Sequence, residues 1–181
     1  MIAAAIVCAA AFVQAGTVSW ASAKSGAMYH AGSTTDTLDS GIMAYLFDAN
    51  DTTGYTSQQA LLTAALGSGV DWSKAIDTSD LGTGGVLNKG SFDAVAEQNY
   101  NLFMVVQDGD NLFISAYQAA VGPASPDGDT LKSFTLKDPS KAAALDSATW
   151  TKAGWYTVPE PTSGLLLLLG VAGLALKRRR A

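Results

Sequence analysis

His30 is the only histidine among the 181 residues, so a serine–histidine–aspartate hydrolase built on this chain would have to use it as the base. Serine and aspartate are plentiful, but no Gly-x-Ser-x-Gly elbow occurs, and His30 reads as a loop histidine. Two aspartate pairs, Asp108 with Asp110 and Asp127 with Asp129, have the chemistry of glycoside hydrolysis. Each pair flanks a glycine, where a short carboxylate suits turn geometry, and both read as turns. Asp48, Asn50 and Asp51 offer hard oxygen ligands for calcium in one loop. Thr53 stands where an EF-hand loop needs glycine and Gln59 where it closes with glutamate, so no metal site is expected. One histidine and one cysteine leave too few ligands for zinc. Trp72, Trp150, Trp155 and Tyr156 are candidate glycan contacts, because flat rings with a polar edge suit sugar faces. Trp150 and Trp155 differ in strand parity, which sends them to opposite faces of a regular strand and at least one of them into a core. No cofactor is expected and the chain reads as a non-enzyme.

The elements that must position these residues are mainly strands. Glutamate occurs only at Glu97 and Glu160, whereas glycine, alanine, serine, threonine and aspartate are abundant, a composition that favours β-structure with polar turns. Thr17 to Ser22 alternates as a strand, 26–40 reads as loop or edge structure, and Ile42 to Phe47 is a short apolar run suited to a buried strand. A helix is predicted over Gln58 to Leu66, with Thr56 as N-cap, Gln59 completing a capping box and Gly67 and Gly69 ending it. Its apolar face, Leu61, Leu62, Ala65 and Leu66, is expected to lie on the sheet.

Trp72 and Ile76 could anchor a short strand, followed by a glycine-rich connector that lacks the lysine–serine/threonine end of a phosphate loop. The clearest β-unit is a hairpin, Tyr100 to Gln107 and Asn111 to Tyr117 around Asp108-Gly109-Asp110, expected in the middle of the sheet. Thr130 to Lys137 alternates with a parity change that suggests a bulge, Asp138 to Leu145 could form a short helix, and Thr149 to Val158 is the last strand. The expected fold is an antiparallel β-sandwich-like domain over 16–157 with one or two short helices.

Both ends of the chain carry address signals. Met1 to Ala15 is an apolar stretch ending in Val13-Gln14-Ala15, which reads as a signal helix cleaved between Ala15 and Gly16, with cleavage after Ala23 as the alternative. No lysine or arginine precedes Lys24, so either the signal is a weak one or the true start lies upstream of Met1. Cys8 is the only cysteine, so the processed chain would have no disulfide and no thiol chemistry.

At the other end stand Pro159-Glu160-Pro161, an apolar run and the cations Lys177, Arg178, Arg179 and Arg180. The run from Gly164 to Leu176 reaches ~20 Å as a helix, short of a ~30 Å hydrocarbon core. It is apolar on every face and is followed directly by four cations that can reach lipid headgroups, so 163–176 reads as a membrane segment. Taking those four cations from the 11 basic residues leaves 7 against 16 acidic ones. An acidic body argues against nucleic-acid binding.

This order of Pro-Glu-Pro, short apolar helix and basic end resembles the PEP-CTERM sorting signal of bacterial exported proteins, and the resemblance covers only 158–181. It implies processing by an exosortase-type membrane enzyme, anchorage in the inner membrane before processing, and a final place at the cell surface or in the extracellular matrix. It also implies a link with exopolysaccharide or biofilm, and the export signal implies signal peptidase as a partner. It implies no activity for the body. Two functions from different classes remain: a non-catalytic envelope or matrix protein, and a carbohydrate-binding module for exopolysaccharide, with a glycoside hydrolase a distant third.

Overall fold

A computed structural model describes residues 14–22, 26–33, 35–134 and 154–158. The elements are β1 (Gln14–Ser22), β2 (Met43–Asp48), α1 (Gln58–Leu66), β3 (Asp77–Asp80), β4 (Gly90–Val95), β5 (Asn99–Asp108), β6 (Asn111–Ile114), β7 (Gln118–Val121), β8 (Asp129–Phe134) and β9 (Gly154–Thr157). They form two sheets, a small one ordered β4-β1-β8 and a large one ordered β3-β2-β5-β6-β9, with β7 also paired to β5.

The expected β-rich, two-sheet architecture is present, but pairing is not antiparallel throughout: β1 and β8 run parallel, Thr17 opposite Asp129 through Ser22 opposite Phe134. Turn signals predict direction only for strands joined by a short loop. β1 and β8 have nearly the whole domain between them, so no local feature sets their direction. Their register is continuous from 129 to 134, and Leu131 is left 58 % exposed; the rest of the 130–137 stretch in which a bulge is expected lies outside the described residues.

β5 shows how the layers are built. Leu102 to Val106 are all buried because both faces of the strand are covered. Leu102, Met104 and Val106 join Val18, Trp20, Ala44, Leu46, Phe113, Phe134 and Trp155 between the sheets. Phe103 and Val105 point the other way, into a second cluster with Phe47, Leu112, Ile114 and the helix residues Leu61, Leu62 and Ala65. Helix α1 therefore lies on the large sheet, as its apolar spacing predicts.

Its start differs from the expectation. Ser57, not Thr56, is the N-cap, and its Oγ accepts from the Ala60 N–H at 3.0 Å. This frame buries Gln58, whose side-chain amide donates to the Ser115 carbonyl while its backbone N–H donates to the Tyr117 hydroxyl at 3.0 Å. Two tertiary hydrogen bonds on one residue outweigh a local capping box worth about 1 kcal/mol. Leu66 is 59 % exposed, because the chain turns away at Gly67 and Gly69, whose N–H groups both donate to the Ala64 carbonyl.

The predicted hairpin is present at the centre of the large sheet. Asp108 pairs with Asn111, and Gly109 takes φ +55° at the first of the two loop residues. β6 and β7 act as one strand interrupted at Ser115–Tyr117. Partner numbers sum to 219 across β5–β6 (Val105 with Ile114) and to 220 across β5–β7 (Leu102 with Gln118), which marks one extra residue. Ser115 repairs the ladder there: its N–H donates to the Met104 carbonyl and its Oγ accepts from the Met104 N–H, both at 2.8 Å.

Trp72–Lys74 is a turn of 3-10 helix capped by Asp71 rather than a strand. Residues 26–40 form only isolated bridges, yet Met28 and Leu38 within them are buried in the core. Of the expected signal segment, residues 14 and 15 belong to β1, while 1–13 lie outside the described residues. The predicted helix at 138–145 and the membrane segment 163–176 also lie outside them. Among the described residues no helix is long and apolar enough to cross a membrane.

Candidate functional site at the C-terminal edge of the large sheet

β9 pairs antiparallel with β6, Gly154 opposite Ile114 through Thr157 opposite Asn111. Side-chain alternation sends its residues to both cores. Trp155 is 3 % exposed between the sheets, edge-on to Phe113 at 5.6 Å, and Tyr156 packs half-buried on the helix side. Burial pushes the Tyr156 hydroxyl above the usual phenol range. At the exposed end of the strand the Thr157 hydroxyl donates to Asn111 Oδ1 at 3.0 Å, and the Val158 N–H donates to the Asp110 carbonyl at 2.7 Å. The sheet thus holds the chain as far as Val158, one residue before Pro159. Pro159, Glu160, Pro161 and Lys177 to Arg180 lie outside the described residues.

The same hairpin end meets the one histidine. His30 Nδ1 and Asp108 Oδ2 are 2.7 Å apart, and this hydrogen bond, with the negative charges of Asp108, Asp36 and Asp39, raises the His30 pKa above 6.5. The partners are 78 positions apart and no sequence signal links them. The pair clamps the 26–40 segment to the hairpin, and among the described residues no serine or threonine hydroxyl bonds to the His30 ring. Asp110, the other half of the first aspartate pair, offers its carbonyl to Val158. In the second pair, Asp129 receives Thr17 Oγ1 at 3.3 Å and Lys89 Nζ at 3.2 Å.

The 48–53 loop uses its oxygens internally. Asp48 is buried, and its Oδ1 accepts the N–H groups of Asn50 at 3.0 Å and Asn101 at 2.8 Å. Asp51 Oδ1 accepts both the N–H and the hydroxyl of Thr53, hydrogen bonds that lower its pKa. Among the described residues no three histidine, cysteine or acidic side chains converge on a metal position.

The candidate aromatic contacts are not brought onto one surface. Trp155 lies in the inter-sheet core, Tyr156 and Trp72 lie on the helix side, and Trp150 is outside the described residues. Trp72 is half-buried and stacks on Tyr45 with centroids 4.3 Å apart. Ala15 begins β1 with Gln14, and Gly16 is buried with its N–H donated to the Ser125 carbonyl at 2.9 Å. A Cβ at Gly16 would overlap the Gly128 carbonyl, so only glycine fits there.

In comparison with known protein families, residues 157–180 match the PEP-CTERM protein-sorting motif. No curated protein and no solved structure matches the chain. The protein carries a PEP-CTERM sorting signal, and such signals direct exported proteins to exosortase, a membrane enzyme.

Proposed function

We propose that this exosortase-sorted protein is a non-catalytic component of the cell envelope or extracellular matrix. In this reading the segment 163–176 holds the precursor in the inner membrane with Lys177 to Arg180 on the cytoplasmic side, until the tag is processed and the β-domain passes to the surface. The observation that carries it is the sorting motif over 157–180, which begins where the β-domain ends. The hydrogen bonds that engage Asp48 and Asp51 with backbone N–H groups of their own loop and of Asn101 support a structural body over a hydrolytic one. Cell fractionation tests the sorting step. Pro159→Ala/Glu160→Ala/Pro161→Ala should leave the protein unprocessed in the membrane, and identical processing and location of variant and wild type would sink the reading.

The same reading places signal-peptidase cleavage between Ala15 and Gly16. What supports this site over one after Ala23 is β1, the middle strand of the small sheet, whose Val18 and Trp20 are fully buried. Cleavage after Ala23 would remove that strand. The N-terminus of the exported protein, read by mass spectrometry, is expected at Gly16, and Lys24 is the outcome that refutes it.

A carbohydrate-binding role for the body is the second reading, favoured by the partly buried Trp72–Tyr45 stack. Trp72→Ala should then abolish binding to the organism's own exopolysaccharide, and a wild-type protein that does not bind it removes the idea.

A further inference from the structure

Two observations overlap at the C-terminal edge. The sorting match starts at Thr157, and Thr157 is the last paired residue of β9. Thr157 and Val158 therefore belong both to the segment that marks the tag and to the folded sheet, where they hold Asn111 Oδ1 and the Asp110 carbonyl. Five residues, 159–163, separate Val158 from the apolar run that begins at Gly164. Even fully extended, that interval spans at most ~20 Å. A membrane-embedded enzyme that takes the motif into an extended cleft must therefore meet the edge of the sheet, or draw Thr157 and Val158 out of it.

We propose that β9 gates removal of the sorting tag: the motif is fully accessible to exosortase only when the last rungs of β9 have opened from β6. This rests on the exosortase reading above. β9 suits the task energetically. It is four residues long and, among the described strands, pairs with β6 alone at the end of the strand order, so it can open without those strands separating. Trp155, buried against Phe113, anchors its first half, so opening is confined to the Thr157–Val158 end. A body that has not folded offers no such barrier, and the gate makes the rate of tag removal depend on the folded state of the domain.

Two variants of the full chain test this in membranes that contain the exosortase. In the first, an eight-residue Gly/Ser linker followed by a second Thr-Val is inserted between Val158 and Pro159, so that β9 stays whole and the motif keeps its own Thr-Val. Tag removal should speed up about fivefold or more, since one backbone hydrogen bond of ordinary net strength changes an opening equilibrium by about that factor. An unchanged or slower rate overturns the gate.

The second variant is Asn111→Cys/Thr157→Cys. Directly opposed antiparallel residues have Cα atoms about 4.5–5.5 Å apart, within disulfide reach. Tag removal should stop when the bridge is oxidised and return on reduction, and equal rates in the two states overturn the gate. The Pro159→Ala/Glu160→Ala/Pro161→Ala chain supplies the unprocessed baseline. If wild type and linker variant both match it, the sorting reading itself fails and the gate falls with it, whereas a processed wild type with an unresponsive linker variant overturns the gate alone.

Discussion

The first and last of the described strands stand in opposite situations. β1 is flanked on both sides, antiparallel to β4 and parallel to β8, and it sends Val18 and Trp20 completely out of solvent. β9 pairs with β6 alone among the described strands, and only its Trp155 is deeply buried as a large side chain. A strand with two neighbours cannot leave without opening its sheet, whereas an edge strand can open locally. The small sheet therefore makes the N-terminal strand indispensable, and the large sheet leaves the C-terminal one detachable.

The two buried tryptophans bring this contrast to single side chains. Trp20 donates Nε1–H to Asp77 Oδ2 at 2.6 Å and so ties the small sheet to β3 of the large one. Trp155 Nε1 is buried with no partner among the described residues. Trp20→Phe loses a charge-assisted bond and leaves a void, and should cost ~3 kcal/mol in denaturant unfolding of the detergent-solubilised chain. Gly90→Ala should come next. Gly90 lies opposite Trp20 in the β1–β4 register, and a Cβ there would overlap the indole, an overpacking cost of ~2 kcal/mol. Trp155→Phe, which loses packing but no hydrogen bond to a described partner, should cost only ~1 kcal/mol. Equal costs at Trp20 and Trp155 would break the contrast.

The smallest expected effect is the pH dependence of the His30–Asp108 clamp, close to the detachable edge. The folded state raises the His30 pKa, so the clamp contributes its full stability below 6.5, the ordinary value, and loses most of it as pH rises through the folded pKa. The unfolding midpoints of wild type and Asp108→Asn should therefore differ most below pH 6.5 and converge as pH rises through the raised His30 pKa. The pair is partly exposed, which keeps the difference within the ~0.2–1 kcal/mol of exposed ion pairs. A difference that grows with pH would refute the assignment.

The hairpin at Asp108-Gly109-Asp110 was legible in the sequence because its cause is local: a left-handed glycine between two apolar runs dictates both the turn and the pairing of its neighbours. Helix α1 was legible to within one residue, since spacing and terminal glycines set its extent but the buried Gln58 chose its frame. The burial of Met28 and Leu38 was not legible. They sit in a stretch of small polar residues, and their partners are supplied by strands far along the chain.

At the candidate site the sorting motif is covalently contiguous, so residue order alone identifies Pro159-Glu160-Pro161, the apolar run and the basic end. Its attachment to a paired strand through Thr157 and Val158 is a property of the sheet.

By itself, then, the sequence determined the address of the protein, its acidic β-rich body, its central hairpin and its one described helix. These follow from composition, from periodicity and from interactions within a few residues. Only the tertiary structure decided that β1 is central and partly parallel-paired, that His30 meets Asp108, and that the sorting segment begins inside a folded sheet. Each of those depends on which distant strands share a sheet, a choice made by burying two separate apolar clusters at once rather than by any local preference.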